Sequence, residues 1–388
     1  MTKIIRITTV PISLKILQKG QNKFLASHGW DILGVSSSGK EMKDLEKDEG
    51  MRTKVIEMTR TISPLKDLKA LRQFYLLCKK EKPAIVHSHT PKAGIIGMLG
   101  AKLAGVPIRL HTVAGLPLTE TSGLKRRMLI SVEKLTYRCA TKVFPISYGL
   151  KEYIINERIG SSSKIKVLGN GSSNGIDTIR FDPENISSDT RLALRRELNI
   201  PPSDFVYLFV GRVVTDKGVN ELVSAFDAVN NTDPDCHLVI VGNFENQLDP
   251  LLDETEKRIR GNKKIHTVGY KDNVEEYLGM ADVLCFPSYR EGFGNVTAQA
   301  GAMGLPVIVT DITGSNEIVI DGKNGLIIPV KEITPLVHAM KKIKDEPELY
   351  ENLKKNAREM ITSRYDQKFV WEALLDEYRK LLEEKELG

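Results

Sequence analysis

Cysteine, aromatic residues and long apolar runs are all scarce in this sequence. Its four cysteines are scattered over 388 residues without a C-x-x-C pair. This disfavours a disulfide framework or a cysteine zinc site and is typical of reduced thiols in a cytosolic protein. No segment contains the roughly 20 consecutive apolar residues of a membrane-spanning helix. The turn after the first predicted strand lacks G-x-G-x-x-G, so a dehydrogenase is only weakly supported. We therefore expect a cytoplasmic location.

The chain is long, and its charge is unevenly distributed. A length of 388 residues predicts two domains. Residues 1–190 carry 31 Lys and Arg against 17 Asp and Glu, whereas residues 191–388 carry 25 against 33. The basic first half predicts contact with something anionic, such as a membrane surface or a lipid-linked pyrophosphate. No aromatic-interleaved basic motif supports nucleic acid as a partner.

Short apolar strands alternate with helical stretches in both halves of the sequence. This alternation is typical of α/β proteins with doubly wound parallel sheets. Between the halves lies a segment rich in Gly, Ser, Asn and Pro, over residues 169–188, which indicates a domain boundary. We predict a first domain over residues 1–185, a second over 186–366, and a last helix over 367–388.

The segment over residues 287–317 is the most informative. A predicted buried strand, Val283–Pro287, ends in the turn EGFG at residues 291–294. A small-residue helix, Val296–Met303, and a second apolar strand, Val307–Thr310, follow. Glycines let the backbone approach a ligand, and a helix N-terminus offers unpaired N–H groups. The pattern therefore predicts a phosphate-binding crevice at the carboxyl ends of the strands.

This segment resembles the donor-site signature of retaining glycosyltransferases of family 4, which adopt the GT-B fold. The signature P-S-x-x-E-G-F-G-x-x-x-x-E-A-x-A-x-G-x-P-V-I is matched from Pro287 through Ile308. One position departs, because Gln299 stands where the family has its second Glu. The resemblance implies two Rossmann-like domains facing across a cleft, with the last helix packing back on the first domain. It also implies a nucleotide-sugar donor and no metal or other cofactor.

The resemblance also assigns donor-site roles. The family's G-R-x-x-x-x-K-G pattern is matched from Gly211 to Gly218, and its Arg212 and Lys217 would bind the donor diphosphate. Fixed cations beside a leaving group that gains charge lower the barrier to transfer. Glu291 would hydrogen-bond hydroxyls of the sugar. Further donor contacts would come from Gly211, Gly242, Tyr270, Phe293, Gly294, Asn295 and Gln299, although an exposed loop position is nearly as good an interpretation of Tyr270.

Acceptor residues are predicted at strand ends in the first half. His111 matches a position where many family members have a His beside the transferred sugar. His89, Thr90 and Lys92 would face the same cleft if the sheet is parallel, with Lys92 holding an acceptor phosphate. A metal site formed by His87 and His89 is a weaker interpretation, and we expect no metal.

Two more features concern the acceptor side. The glycine-rich turn common in the family is replaced here by Val10-Pro11-Ile12-Ser13. Ser13 is predicted to cap a helix over Leu14–Ser27 and is also a candidate acceptor-binding residue. The basic run at residues 125–127, followed by Met128-Leu129-Ile130, is the best candidate for contact with a membrane surface. An equally good alternative is a solvated helix start whose apolar side lies in the core.

Together these features predict a retaining glycosyltransferase with a nucleotide-diphosphate donor, a UDP-sugar being favoured. The expected acceptor is a hydroxyl of a polyprenyl-diphosphate-linked saccharide at the inner face of the cytoplasmic membrane, in bacterial capsule, O-antigen or glycan assembly. The expected mechanism is front-face displacement, in which the leaving diphosphate helps take the acceptor proton. The main alternative is a GT-B isomerase resembling nucleotide-sugar 2-epimerases, which should need further acids and histidines. A non-catalytic binding protein is a third interpretation.

Overall fold

The computed structural model describes residues 1–59, 61, 63–116, 118, 121–245, 247 and 249–386. The chain divides into two compact units, one formed by Met1–Gly175 with Gln367–Gly388 and the other by Ile176–Asp366. The boundary falls before the predicted position at residue 185. One reason is Arg358, whose guanidinium donates to the Phe181 carbonyl at 2.8 Å and to the Asp182 carboxylate at 2.6 Å. These bonds hold the later part of the predicted linker to the second unit.

The first unit contains a six-stranded parallel sheet in the order β3-β2-β1-β4-β5-β6. All of its strands except the edge strand β3 are largely buried, because helices cover both faces of such a sheet. The strands are β1 (Thr2–Ile7), β2 (Trp30–Ser36), β3 (Arg52–Val55), β4 (Ile85–Ser88), β5 (Ile108–Val113) and β6 (Lys142–Pro145). The helices are α1 (Pro11–Leu17), α2 (Gln21–Ser27), α3 (Glu41–Glu49), α4 (Pro64–Glu81), α5 (Pro91–Ala104), α6 (Gly123–Cys139), α7 (Tyr148–Asn156) and, from the end of the chain, α16 (Gln367–Glu383).

The helix after β1 differs from the prediction. A single helix over Leu14–Ser27 was expected, but the structure has α1 and α2 with a break between them. The predicted cap at Ser13 is wrong, because Val10 occupies the N-cap position and Pro11 begins the helix. Proline is well suited to the first helical position, since its φ is already helical and it has no N–H to leave unpaired. Ser13 therefore lies inside α1.

Helix α16 completes the core of the first unit. Its apolar residues recur at helical spacing and are buried, as the sequence pattern predicts. They pack with side chains of β1, β2 and the helices α1 to α3 in one cluster. The members from α16 are Leu374, Leu375, Tyr378, Leu381 and Leu382, and those from the rest of the unit include Ile4, Leu14, Leu25, Trp30 and Ile32.

The second unit contains another six-stranded parallel sheet, in the order β12-β11-β10-β7-β8-β9. Its strands are β7 (Phe205–Val210), β8 (Cys236–Val241), β9 (Ile265–Gly269), β10 (Val283–Phe286), β11 (Val307–Thr310) and β12 (Gly325–Ile328). Its helices are α8 (Ser188–Glu197), α9 (Val219–Asn230), α10 (Asp253–Gly261), α11 (Val274–Met280), α12 (Asn295–Ala302), α13 (Ser315–Ile318), α14 (Ile333–Asp345) and α15 (Pro347–Tyr365). Strand order reverses between β7 and β10, and ligands of such sheets bind at this point, beyond the carboxyl ends of the strands.

In the part of the chain that the structure describes, none of the helices combines the length and apolar character needed to cross a bilayer.

A glycine pair tests how tightly the turns after β7 and β10 are packed. Gly218 and Gly304 have nearly equal backbone angles, with φ of +70° and +71°. A Cβ on Gly218 would lie 2.0 Å from the carbonyl oxygen of Pro287, whereas a Cβ on Gly304 would meet nothing within 4 Å. We expect Gly304→Ala to destabilise by about 1–2 kcal/mol, the cost of an L-residue in this conformation. Gly218→Ala should cost about 1–3 kcal/mol more, because the Pro287 backbone must move.

The two variants are to be compared by urea denaturation under the same conditions. Equal losses of unfolding free energy would contradict the close approach of the two turns.

Candidate active site

The turns that follow β7 and β10 lie against each other in the second unit. The N–H of Tyr289 donates to the carbonyl oxygen of Asp216 at 2.9 Å. The hydroxyl of Ser288 lies 3.4 Å from the same oxygen, and Gly218 leaves room for the Pro287 carbonyl. These backbone contacts join the two sequence motifs, which are about 70 residues apart.

Lys217 and Glu291 form a direct ion pair. The Lys217 Nζ lies 2.6 Å from Glu291 Oε1, and the two side chains are only 14% and 17% exposed. The same Nζ lies 5.9 Å from the centre of the Phe286 ring. The structure therefore brings together the cation and the acid that the sequence placed in separate motifs.

Arg212 lies beside two carboxylates and is 44% exposed. Its guanidinium is 3.1 Å from Glu245 and 3.6 Å from Asp216. Asp216 also pairs with Arg290 at 2.8 Å, while burial lowers the pKa of Arg290. The other oxygen of Asp216, Oδ1, is buried and has no hydrogen-bond partner among the described residues. Asp216 therefore links two arginines at this end of the sheet.

Sequence reasoning missed Asp216 and Arg290. Both occupy positions of the two motifs where any residue is allowed, so the motifs contain no signal for them. Three cations, Arg212, Lys217 and Arg290, are thus held in place by carboxylates before any ligand binds. A diphosphate could exchange with these carboxylates as the partner of the exposed cations.

Gly211 and Gly242 meet at the ends of β7 and β8. A Cβ on Gly242 would lie 1.7 Å from the carbonyl oxygen of Gly211, so only glycine fits there. Tyr270, by contrast, is 66% exposed, and its hydroxyl donates to Asp272 at 2.9 Å. This hydrogen bond is the main cause that raises the pKa of Tyr270. No contact within the described chain joins Tyr270 to Arg212 or Lys217.

The EGFG turn leads into the N-terminus of α12. Gly294 occupies its N-cap position, and the exposed Asn295 is its first residue. The ring of Phe293 is 3% exposed and lies edge-on to Tyr365, with ring centres 5.1 Å apart. Because the ring is in the core, a ligand could contact Phe293 only through its backbone.

Three polar side chains of this region form no hydrogen bond with any residue that the structure describes. The hydroxyl oxygens of Thr297 and Ser315 are buried without a hydrogen bond to any described residue. Both lie within 4 Å of the point where a Cβ on Gly294 would sit. The half-buried Gln299 side chain likewise forms no hydrogen bond with the described residues. The signature gave no indication of Thr297, which lies at one of its variable positions, whereas Ser315 belongs to the polar cluster at residues 313–317 that ends the segment singled out in the sequence.

His111 lies in the first unit as a buried and neutral ring. Its Nδ1 lies 2.8 Å from the Ser88 hydroxyl, and its ring centre is 5.9 Å from that of Tyr137. It is 2% exposed, and burial lowers the pKa of His111 to about 4. Above pH 5 the imidazole can therefore donate or accept a hydrogen bond without charge.

His87 and His89 stack with ring centres 4.1 Å apart. Both nitrogens of His87 are engaged, Nδ1 with the Tyr378 hydroxyl at 2.6 Å and Nε2 with the Thr112 hydroxyl at 2.7 Å. Burial holds the pKa of both rings well below the usual value. Over the described ranges, no group of three or more His, Cys, Asp or Glu side chains has the geometry of a metal site.

Thr90 and Lys92 have protein partners at the start of α5. Thr90 occupies the N-cap position, and its hydroxyl accepts from the N–H of Thr9 at 2.9 Å. Lys92 is 12% exposed and pairs with Asp67 of α4. The helix begins at Pro91. An acceptor phosphate at Lys92 would therefore have to compete with Asp67.

Comparison with known proteins places the chain in a family. The model of glycosyl transferases group 1 matches residues 190–360, and that of a glycosyl transferase 4-like domain matches residues 23–171. The chain is 34% identical to the capsular polysaccharide biosynthesis glycosyltransferase CapM of Staphylococcus aureus, over 99% of this chain and 98% of that protein. It is 29% identical to a UDP-Gal:alpha-D-GlcNAc-diphosphoundecaprenol alpha-1,3-galactosyltransferase of Escherichia coli, over 94% and 93%.

A solved structure with the same fold is Anabaena Alr3699/HepE in complex with UDP and glucose. The TM-score is 0.82 at 18% identity, and the match covers 98% of this chain and 100% of that one. The fold prediction is thus confirmed as GT-B. With the two family models and the CapM match covering nearly the whole sequence, the chain belongs to the group 1 glycosyltransferases of family 4.

Proposed function

We propose that this glycosyltransferase is a retaining enzyme that moves a sugar from a UDP-sugar to a hydroxyl of a polyprenyl-diphosphate-linked saccharide, in capsule or related surface-polysaccharide assembly. The observation that carries the proposal is the Lys217–Glu291 pair, 2.6 Å long, beside Arg212 and Arg290 at the ends of β7 and β10. The cations that would bind the diphosphate of a nucleotide sugar therefore lie next to the acid that would bind its sugar. Transfer from a nucleotide sugar requires both.

The cations serve the leaving group. As the bond to the sugar breaks, negative charge grows on the diphosphate, and cations already fixed in place stabilise that charge without reorganisation. Arg212 is the more exposed cation and can turn from Glu245 and Asp216 towards a phosphate. Unpaired N–H groups at the start of α12 add further stabilisation.

Glu291 and Gln299 bind the two sugars of the donor. Glu291 uses one oxygen for Lys217, which leaves the other for hydroxyls of the transferred sugar. Gln299 can accept from a ribose hydroxyl through its amide oxygen and donate through its NH₂. UDP is favoured because the Escherichia coli relative is named for UDP-Gal and the Anabaena structure contains UDP.

Retention follows from front-face displacement. The acceptor hydroxyl attacks from the side of the departing diphosphate, an oxygen of which takes the acceptor proton. No side chain of this chain is assigned as a nucleophile, and the neutral His111 orients a hydroxyl by hydrogen bonding. Two relatives are named as forming alpha-1,3 linkages on diphosphoundecaprenol-linked saccharides, which is the outcome of retention with an α-linked donor.

The outer surface of α6 supports contact with a membrane. Its apolar residues Leu124, Met128 and Leu135 are 82%, 41% and 42% exposed, whereas Leu129 and Ile130, which follow Met128 in the predicted run, are half-buried. The run is therefore only partly exposed. Lys125 and Arg127 are exposed beside them. Apolar and basic side chains on one helix surface suit an anionic bilayer, where a lipid-linked acceptor would lie.

Removing the guanidinium of Arg212 tests the donor site. We expect Arg212→Ala to lower kcat roughly 10²–10³-fold, because it removes a cation that acts on the developing charge, and to abolish stabilisation by UDP. Turnover is to be followed as UDP release together with analysis of the saccharide product. Arg260→Ala is the matched control, since Arg260 is 74% exposed on the same unit and its ion pair among the described residues is with Glu256. Normal turnover by Arg212→Ala would rule out the assigned role.

The low pKa of His111 predicts how stability depends on pH. The pKa of His111 is about 4 in the folded chain and about 6.5 in the unfolded chain. The neutral ring therefore makes its full contribution to the free energy of unfolding above pH 6.5. That contribution is lost as the pH falls from 6.5 towards 4, because the unfolded chain binds the proton first. The loss amounts to about 3 kcal/mol over that interval. Denaturation of wild type and His111→Asn between pH 7 and pH 4.5 should show a smaller pH-dependent change in the variant. Parallel curves for the two proteins would show that His111 does not titrate in this way.

Sedimentation with lipid vesicles tests the α6 surface. Reversing two charges with Lys125→Glu and Arg127→Glu should weaken binding to phosphatidylglycerol vesicles roughly tenfold or more, because each basic residue near an anionic surface contributes about 1 kcal/mol. Lys257→Glu, an exposed lysine of α10 in the second unit, is the control and should bind normally. Equal sedimentation of all three proteins would remove α6 from the membrane contact.

A further inference from the structure

We propose that the first unit contains an internal binding site for one small monovalent anion, of the size of chloride, beside the guanidinium of Arg6. The site is separate from the proposed donor site, because every residue that forms it belongs to the first unit. A bound anion would stabilise the first unit and help to fix the position of His89. This effect would not depend on which sugar the enzyme transfers.

Arg6 is a charged residue with no exposed surface. It lies in β1 with a relative exposure of 0%, and its hydrogen-bond partners are neutral. The Nη1 donates to Asn22 Oδ1 at 2.8 Å, and Nη2 donates to Gln21 Oε1 and lies 3.3 Å from His89 Nε2. The Nε is buried and has no partner among the described residues.

No described carboxylate lies within ion-pair distance of Arg6. Glu49 acts on it only at longer range, and the two oxygens of Glu49 accept from the N–H groups of Gly20 at 2.6 Å and Lys23 at 3.2 Å. Burial lowers the pKa of Arg6, which records the cost of this uncompensated charge. Guanidinium stays protonated in proteins, so the charge needs a counter-ion.

A small cavity lies next to Arg6. Its volume is about 20 Å³, and Arg6, His89, Ser172 and Ser173 are among the residues that line it. This is room for a single water or a monatomic ion. Ser172 Oγ accepts from the N–H of Gly175 at 3.0 Å, so its own proton is available to donate. The Arg6 Nε–H and the Ser172 hydroxyl can therefore both donate to an anion.

The positive charge of Arg6 favours an anion over a water molecule as the occupant of this cavity. A water would satisfy the Nε hydrogen bond but would leave the positive charge uncompensated. His87 and His89, both neutral because burial lowers their pKa, add no competing charge. An anion in the cavity would hold Arg6 in place, and Arg6 in turn fixes the Nε2 side of His89.

Bromide provides a direct test. Crystals of the full chain grown or soaked in sodium bromide should give an anomalous-difference peak within hydrogen-bond distance of the Arg6 guanidinium. In solution, replacing sodium gluconate by sodium chloride at equal ionic strength should raise Tm by about 2–4 °C once chloride exceeds its Kd tenfold. A water in the cavity with no anomalous signal, or equal Tm in the two salts, would overturn the proposal.

A substitution that supplies a built-in counter-ion completes the test. Gln21→Glu places a carboxylate where Gln21 already accepts from Arg6, so this variant should fold, lose the bromide peak and lose the chloride-dependent rise in Tm. Arg6→Met should lose both as well if it folds. A Gln21→Glu protein that still responds to chloride as the wild type does would show that the ion acts elsewhere.

Discussion

The proposed donor site depends on one close approach between two turns. The Pro287 carbonyl lies where a side chain on residue 218 would otherwise be, and Tyr289 donates to the carbonyl of Asp216 beside it. Because β7 and β10 are neighbours in the sheet, these contacts fix the ends of the two strands against each other. The Lys217–Glu291 pair follows from that backbone arrangement.

The cations of this site are kept charged and oriented by carboxylates that a substrate can replace. Arg212 and Arg290 share Asp216, and Lys217 has Glu291. Such pairing prevents unpaired charges from being buried while the site is empty. It also implies that a diphosphate replaces the carboxylates as the partner of these cations when it binds. The affinity for the diphosphate is then the difference between its own interaction with the cations and that of the carboxylates.

The sequence predicted the fold and the family because both are encoded in local patterns. Buried parallel strands are mostly apolar runs, and the signature from Pro287 through Ile308 spans more than twenty residues. Contacts between distant segments have no such pattern. Asp216 and Arg290 occupy variable positions, Arg6 is one of two basic residues in β1, and the break between α1 and α2 depends on tertiary packing. A Cβ at Gly20, for instance, would lie 2.7 Å from the Trp371 ring.

The first unit is assembled from both ends of the chain, with Leu374, Tyr378 and Leu381 of α16 inside its core. Synthesis on the ribosome is directional, so residues 1–175 emerge long before the helix that completes their packing. The second unit, residues 176–366, is continuous and has all its parts earlier. The His87–Tyr378 hydrogen bond can form only after the final helix has been released. The N-terminal half of this protein therefore reaches its native core last, which reverses the usual order in which domains mature during translation.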